Sequence, residues 1–479
     1  MSAASHPSLG AAFAGADPSV WEAVQDVVRR LTAAGGKVHL VGGCVRDALL
    51  GEPIGDFDLE VFRLPPDRLR AALGDAFAFD VVGAAFGVLK LEGLPVDVAL
   101  PRVESKSGPG HRGFEVRSDP WLSFAEAAAR RDFTINSIAW EPLSGELIDP
   151  FDGAGDLGRR LLRHTSERFG DDPLRVLRGM QLIARFELSP AAQTVRVCRT
   201  MSAAELAPER IFEEWRKLLL RGRVPSLGLR FLRQCGWLRE APELEALIGV
   251  PQDPSWHPEG DVWVHTLAVL DDYAGRRLGE PWEDLVVGLA CLCHDLGKPR
   301  STEYVEGRWR SRGHEEGGAA PTRTFLERMT RQGALVDQVL PLVVHHLKPR
   351  QLYQAGAGDA AVRRLARKVG RIDRLVRVAR ADEAGRGAGS EGEGPGAWLL
   401  ERAQALALAD RAPRPLIMGR HLVERGLEPG PAFAPILEAC FEAQLDGAFA
   451  DVAGGLRHLD RLLTAAPRET GGCARPSHR

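Results

Sequence analysis

From residue 19 the chain reads SVWEAVQDVVRRLTAAGG, with apolar residues three and four positions apart and glycines at the end. That spacing predicts an amphipathic helix and its stop. Ahead of it, residues 1–18 are small and mixed in polarity, which predicts a floppy tail with order starting near Val20. Between 37 and about 150 short strand-like runs dominate, KVHLVGG, DFDLEVF, FDVVG, GVLKL and LPVDVAL, interleaved with helical stretches such as PPDRLRAALGDAF. The mixture predicts an α/β or α+β region. From about 151 onward, runs such as DPLRVLRGMQLIARF and PERIFEEWRKLLL carry helical spacing and strand signals nearly vanish, so the remainder is expected to be helical. AGRGAGSEGEGPGA at 384–397 predicts a loop, and the last dozen residues predict disorder.

Length and composition narrow the class. The 479 residues suffice for about three domains, and 44% apolar content is ample for buried cores. The net charge of −3 conceals 62 basic and 65 acidic residues, so a polyanionic partner must be met by local basic surface. Seven cysteines form no CxxC pair, and their odd number argues against a disulfide framework and for a reducing cytoplasm. The first twenty residues lack the pattern of a signal peptide, and no run of 18 apolar residues occurs, so no membrane role is expected.

Residues 39–62, HLVGGCVRDALLGEPIGDFDLEVF, carry the first chemistry. On an extended strand Asp56, Asp58 and Glu60 face one way and Phe57, Leu59 and Val61 the other. Carboxylates about 7 Å apart repel unless a cation intervenes, and hard oxygen ligands of this kind suit Mg²⁺. Upstream, Gly42 and Gly43 allow close backbone approach to a phosphate and open a helix whose N-terminus favours anions, with Arg46 one turn on. Turn and acids can then share one nucleoside triphosphate.

With LVGGCVRDALLGEPIGDFDLEVF followed in order by PRVESKSGPGHRGFEV, RRDFTINSIAW, IDPFDGAGDLGRRLLRHT, DPLRVLRG and PERIFEEWRKLL, residues 38–220 closely resemble the class II tRNA nucleotidyltransferases, the CCA-adding enzymes, and the related poly(A) polymerases. The resemblance implies an α+β fold, a palm-like mixed sheet with helices, then an all-α neck and body. It implies that Asp56 and Asp58 hold catalytic Mg²⁺ and that Gly43 and Arg46 contact the triphosphate. Asp97 in LPVDVAL is a candidate third carboxylate. In RRD, Arg131 can pair with phosphate and Asp132 can accept from a ribose hydroxyl. Asp172 and Arg175, three apart and so on one helical face, match the pair that reads CTP and ATP by Watson-Crick-like bonds, and Arg178 matches a further nucleotide contact. Asp171 or Asp172 can equally cap the helix, with Pro173 in the first turn. Gln181 stands where many relatives carry arginine, and Asp171 replaces a more usual glutamate. The segment 101–116 matches a flexible loop.

Downstream, WHPEGDVWVHT gives His265, LACLCHDLGKP gives His294 and Asp295, and RADEAGR gives Asp382. Imidazole and carboxylate from separate helices suit a mixed nitrogen and oxygen metal site. The order resembles the HD metal-dependent phosphohydrolases, in which His314 and His345 match additional histidines. A divalent ion, a transition metal such as Ni²⁺ or else Mg²⁺, is implied there. The two halves in this order resemble the bacterial multifunctional CCA protein family over residues 38–400. That resemblance implies CCA addition to tRNA from CTP and ATP, with 2′,3′-cyclic phosphodiesterase, 2′-nucleotidase and phosphatase activity. The expected domains are a tail and helix at 1–35, a head at 36–150, a neck and body at 151–250, an HD domain at 251–400 and a helical region with flexible tail at 401–479. Arginine-rich runs at 158–164 and 362–380 are candidates for meeting tRNA phosphates. A partial C- or A-adding enzyme, a poly(A) polymerase, an HD phosphohydrolase whose first domain only binds RNA, and a homodimer stay open.

Overall fold

The computed structural model describes residues 7–82, 88–106, 114–387 and 394–465. Two compact units emerge, Met1–Glu245 with Arg328–Thr330, and Ala246–Glu327 with Arg331–Arg479.

The first unit is built on a seven-stranded sheet with strands β1 (Lys37–Val41), β2 (Phe57–Phe62), β3 (Phe79–Val82), β4 (Val88–Leu91), β5 (Val96–Ala99), β8 (Ala139–Glu141) and β9 (Glu146–Ile148). Their order is β3-β4-β5-β2-β1-β8-β9. Only the β2–β5 pairing is parallel, and its register sets Asp58 beside Asp97. β6 (Arg102–Lys106) and β7 (Phe114–Ser118) form a separate antiparallel pair. Residues 107–113, the middle of the expected flexible loop, lie outside the described residues. Beyond the sheet, the helix Leu174–Phe186 packs on Pro208–Arg221 and Pro225–Gln234 through an almost continuous apolar face.

The expected N-terminal tail is ordered from Pro7. Pro7–Ala14 is a helix, and it buries Leu9 and Phe13 completely. Phe13 stacks on Trp21 at 5.5 Å and on Trp140 at 4.9 Å between ring centroids. The segment is rich in alanine, the best helix former, and two apolar anchors in an aromatic pocket suffice to order it.

The second unit centres on the helices Val262–Gly275, Pro281–Cys293, Gly333–His345 and Ile372–Gly385. A smaller core around Ile417, Leu422, Cys440, Phe449 and Leu459 follows. The purely helical expectation misses a β-hairpin, Thr302–Val305 paired with Arg308–Ser311. Its two turn residues, Glu306 and Gly307, have φ of 53° and 78°, the left-handed pair of a type I′ turn. Glu-Gly is a weak version of the Asn-Gly signal, so the alternation of TEYV and RWRS passes unread. The predicted loop at 384–397 overlaps the end of the helix Ile372–Gly385 and the start of Pro395–Ala405, with 388–393 outside the described residues, as is 466–479.

The arginine runs are largely spent on internal partners. Arg159 and Arg163 pair with Asp152 and Asp156. On the helix Asp359–Val369, Arg364 and Arg367 pair with Glu438, Glu442 and Asp446, and on the next helix Arg374 and Arg377 pair with Glu283 and Asp284.

Candidate active sites

β1 ends at Val41 and the chain turns at Gly42, whose φ of 75° an L side chain rarely adopts. A Cβ there would also come within 3.1 Å of an Arg131 guanidinium nitrogen. Gly43 then opens the helix Gly43–Leu50, and both glycines line a cavity of about 800 Å³. The unpaired N–H groups of that helix start, with its positive dipole end, favour an anion. Arg46 is buried in the wall, donating to Asp47 (2.8 Å) and Asn136 (2.6 Å) and lying 4.6 Å over the Phe186 ring. It is a cation fixed in place before any ligand arrives.

Asp58 and Asp97 both line this cavity from adjoining strands, and Asp56 lies exposed just ahead of β2. The Asp58 carboxylate opens to the cavity, yet burial by the surrounding protein raises its pKa, with repulsion from Asp97 and Asp56 adding to that and the Arg131 guanidinium opposing it. Three mutually repelling hard oxygen donors fit a divalent cation. Asp97 is also 3.1 Å from Lys90. Glu60 departs from the acidic face expected for it. It is buried, with Arg130 and Arg131 each 3.2 Å away. The second half of β2 lies inside the sheet, where an unpaired carboxylate is costly, so Glu60 anchors the RRD arginines.

Asp132 is buried and well supplied with donors: the Phe133 amide at 2.7 Å, Asn136 at 3.0 Å and Arg178 Nε at 2.6 Å. Burial works to raise its pKa, but Arg178 and the other donors hold it at about 2. Asp172 and Arg175 do not share a helical face, because the helix begins at Leu174. Asp172 precedes the Pro173 N-cap and accepts from the Leu174 amide (3.1 Å) and from Arg210 (2.9 Å). Arg175 donates to the carbonyls of Arg168 and Arg130, both at 2.6 Å. Both still line the cavity, as do Asp171 and the buried Gln181. Sequence reasoning missed Asn136, which bridges Arg46 and Asp132, as well as Arg185, Arg210, Lys217 and Arg221 in the lining. Asn136 was legible as the i+4 neighbour of Asp132; the basic four were hidden among other surface arginines.

In the second unit His265, His294 and Asp382 bring ligand atoms within 4.8 Å of one another, and so do Asp295, His314 and His346. Asp295 joins the two groups, its Oδ2 3.2 Å from His294 Nε2 and its Oδ1 3.4 Å from His314 Nε2. His346 therefore stands where His345 was expected. His345 interacts instead with Lys368, Lys348 and Glu316, since successive helical residues turn by about 100°.

Three of these histidines are set the same way. Nδ1 of His294, His314 and His346 contacts the carbonyl oxygens of Cys291, Ser311 and Val343 at 2.8, 2.7 and 2.7 Å. A carbonyl can only accept, so Nδ1 carries the proton and each Nε2 lone pair points into the cluster. His346 is kept neutral further by burial, which brings its pKa down to about 3. His265 bonds Glu259 through Nδ1 (2.7 Å) and Asp382 through Nε2 (2.9 Å). Glu259 also meets His257 at 2.9 Å, and these bonds outweigh burial to hold its pKa at about 2. His294 Nε2, His314 Nε2 and both Asp295 oxygens are buried without a hydrogen bond, although Lys298 Nζ stands 2.7 Å from Asp295. Such atoms are costly alone and fit a mixed nitrogen and oxygen site for divalent metal. Gly297 of HDLGKP keeps the cluster closed, since a Cβ there would fall 2.0 Å from the His314 carbonyl oxygen. Glu259 and His257 were missed although they lie in the quoted WHPEGDVWVHT; Lys298 likewise follows HDLG directly.

Comparison with known proteins gives these two sites a common setting. Residues 38–163 match the Poly A polymerase head domain and 262–411 match the HD domain. The class is therefore a nucleotidyltransferase of poly(A) polymerase type joined to an HD domain. The chain is 39% identical to the multifunctional CCA protein of Xanthomonas euvesicatoria pv. vesicatoria over 420 residues, 84% of this chain and 96% of that one. With the multifunctional CCA protein of Xylella fastidiosa it shares 39% over 393 residues, 78% and 90% of the two chains. The chain belongs to the multifunctional CCA protein family. Its fold resembles the Bacillus stearothermophilus CCA-adding enzyme in complex with CTP (TM-score 0.65, 22% identity, 93% and 98% of the chains covered). It also resembles the Thermotoga maritima CCA-adding enzyme complexed with tRNA (TM-score 0.57, 18% identity, 95% and 98% covered). Among the described residues no helix is long and apolar enough to cross a membrane.

Proposed function

We propose that this enzyme adds and repairs the 3′-terminal CCA of tRNA from CTP and ATP, without a nucleic-acid template, and that its HD centre hydrolyses phosphoesters at damaged tRNA ends. The observation that carries the first part is the single cavity that joins the Gly42–Gly43 helix start, Asp58 and Asp97, and the Arg46, Arg131, Arg175 and Arg178 guanidinium groups. Gly43 and Arg46 bind the triphosphate, and Arg131, held by Glu60, faces the same phosphates. Asp132 positions Arg178 and retains acceptor capacity for a ribose hydroxyl. Asp172 and Arg175 are the base readers on this proposal, and must loosen from Arg210 and from the backbone carbonyls to reach a base edge. Mg²⁺ bound at Asp56 and Asp58 would favour the attacking 3′ hydroxyl and offset charge on the leaving pyrophosphate.

In the HD centre, His265, His294, Asp295 and Asp382, with His314 and His346, would hold a divalent ion of the Ni²⁺ or Mg²⁺ kind that supplies activated water for hydrolysis. Glu259 orients His265 and fixes its tautomer. This work belongs in the cytoplasm, where tRNA is processed.

The test is incorporation, one nucleotide at a time, on tRNA ending at the discriminator base. CTP alone should add C and C, ATP alone nothing, and both together CCA. Long tails from ATP alone would sink the proposal in favour of a poly(A) polymerase.

A further inference from the structure

Beside the HD centre lies a second cavity, of about 420 Å³, within the roughly 300–1,000 Å³ usual for small-ligand sites. His314 and Lys298 reach it from the metal cluster side. Trp256 and Trp309 line it as well, and both are unusually open for tryptophan, 54% and 37% exposed. Arg350 lies 4.8 Å over the Trp256 ring; among the described residues no carboxylate comes within ion-pair distance of it, although Glu383 acts on it from further off and Asp253 is the carboxylate in the cavity lining. Trp309 sits on the hairpin strand Arg308–Ser311, braced edge-on by Tyr304 of the other strand at 5.0 Å. That hairpin runs directly into His314 with Arg308, Arg310 and Arg312 interleaved.

Two exposed indoles cost free energy in water unless something covers them. Their polar and cationic company does not suit a lipid or an apolar metabolite. An aromatic face beside an unpaired guanidinium, opening on a cluster built for phosphoester chemistry, suits a group with a flat ring at one end and a phosphate at the other. Base stacking on aromatic side chains is tolerant of base identity, as processing of any terminal nucleotide requires.

We propose that this cavity is a nucleoside subsite of the HD centre, in which Trp256 and Trp309 stack the base of a ribonucleoside 2′- or 2′,3′-cyclic phosphate and Arg350 pairs with the phosphate. The proposal rests on the reading of the HD centre as a phosphohydrolase. It adds to that reading a recognised base and the residues that recognise it. Trp256, Trp309 and Arg350 are positioning residues for substrate and leave the metal cluster untouched.

The experiment compares two substrates on the full-length enzyme: adenosine 2′,3′-cyclic phosphate and glycerol 1,2-cyclic phosphate, which has no base. Trp256→Ala and Trp309→Ala should each raise KM for the adenosine substrate by about 5- to 150-fold, the range set by stacking of one base. Their kcat should stay within about twofold, and the glycerol substrate should be unaffected by Trp309→Ala, which leaves the Trp256 ring under Arg350 in place. Trp256→Phe should restore most of the loss, and Arg350→Gln should raise KM for both substrates. Equal losses on the two substrates in Trp309→Ala, or no change on either, would overturn the subsite. A tRNA ending in a 2′,3′-cyclic phosphate identifies the source of the nucleoside: the same loss there assigns an RNA end, and a loss restricted to the mononucleotide assigns a free nucleotide. Should wild-type enzyme hydrolyse neither small substrate, the phosphohydrolase reading fails. The subsite is then judged by calorimetric binding of adenosine 2′-monophosphate with CTP saturating the head cavity. Binding lost in Trp256→Ala upholds it, and binding unchanged or undetectable rejects it.

Discussion

In the first unit, carboxylates gather on adjoining strands and open to a large cavity whose walls are arginine; in the second, Asp295 and Asp382 are buried among histidines contributed by separate helices. The contrast follows from what each must hold. On the proposed function a triphosphate brings its own charge and arrives with a metal, so the head offers fixed cations such as Arg46 and turns Asp58 and Asp97 to the cavity. On the proposed function the HD cluster would hold an ion, and three of its imidazoles are locked by backbone carbonyls with their lone pairs inward. On the proposed function, one site is organised around its substrate and the other around its metal.

The sharpest way to break that comparison is to remove the head acids. Asp56→Ala with Asp58→Ala should lower CMP and AMP incorporation by about 10³-fold or more, the scale of losing a main electrostatic stabiliser. Hydrolysis of a cyclic phosphate should persist in the same preparation. Loss of both activities would mean that the two sites do not work independently.

Next in size is a change outside the ligand shell of the HD centre. Glu259→Gln keeps a hydrogen-bond acceptor for His265 but removes the negative charge that supports it, and should weaken metal retention by about 10- to 100-fold. Metal content after dialysis against a graded chelator reads this directly, with incorporation of CMP as the unaffected control. An unchanged metal affinity would mean that His265 is oriented by Asp382 alone.

These two experiments also mark where sequence was informative. The head motifs are local, since strand, glycine turn, helix and acidic strand follow within two dozen residues, and alternation already separates Asp58 from Leu59. What alternation could not tell is which polar residue on the strand face is solvated. Glu60 shares the Asp58 side yet lies inside the sheet against Arg130 and Arg131. Likewise Asp172 and Arg175 are three apart in sequence, but the helix begins at Leu174, so only Arg175 lies on it. In the HD half, motif order located His265, His294, Asp295 and Asp382, while the choice between His345 and His346 depends on how a helix end rotates against its neighbours. The helix Pro7–Ala14 was unreadable for a related reason: its two apolar anchors gain their meaning from Trp21 and Trp140.

A smaller effect concerns pH. Asp132 has a folded pKa of about 2, against an ordinary 3.8. Because the folded value is depressed, the stabilisation is present in full above about pH 4 and is lost as pH falls towards 2, amounting to about 2 kcal/mol. Chemical denaturation between pH 6 and 3 should show a shallower acid loss for Asp132→Asn than for wild type. Parallel acid limbs would indicate that Arg178 does not hold this carboxylate in solution.

The smallest effect sharpens the comparison by what does not change. The run 362–380 has the arginine density of a phosphate-binding surface, yet Arg364 and Arg367 face Glu438, Glu442 and Asp446 across the second unit. Neutralising a cation that meets a tRNA phosphate lowers the salt dependence of binding by about one counterion, whereas removing one already paired with a carboxylate releases none. Arg364→Gln with Arg367→Gln should therefore leave the slope of log K against log salt unchanged and shift tRNA affinity by less than about twofold, because solvent-exposed ion pairs contribute little. Arg131→Gln, in the head cavity, is the companion measurement and should flatten nucleotide affinity rather than the tRNA slope. A reduced tRNA slope in the helix variant would return this face to the RNA and require its carboxylate partners to let go on binding.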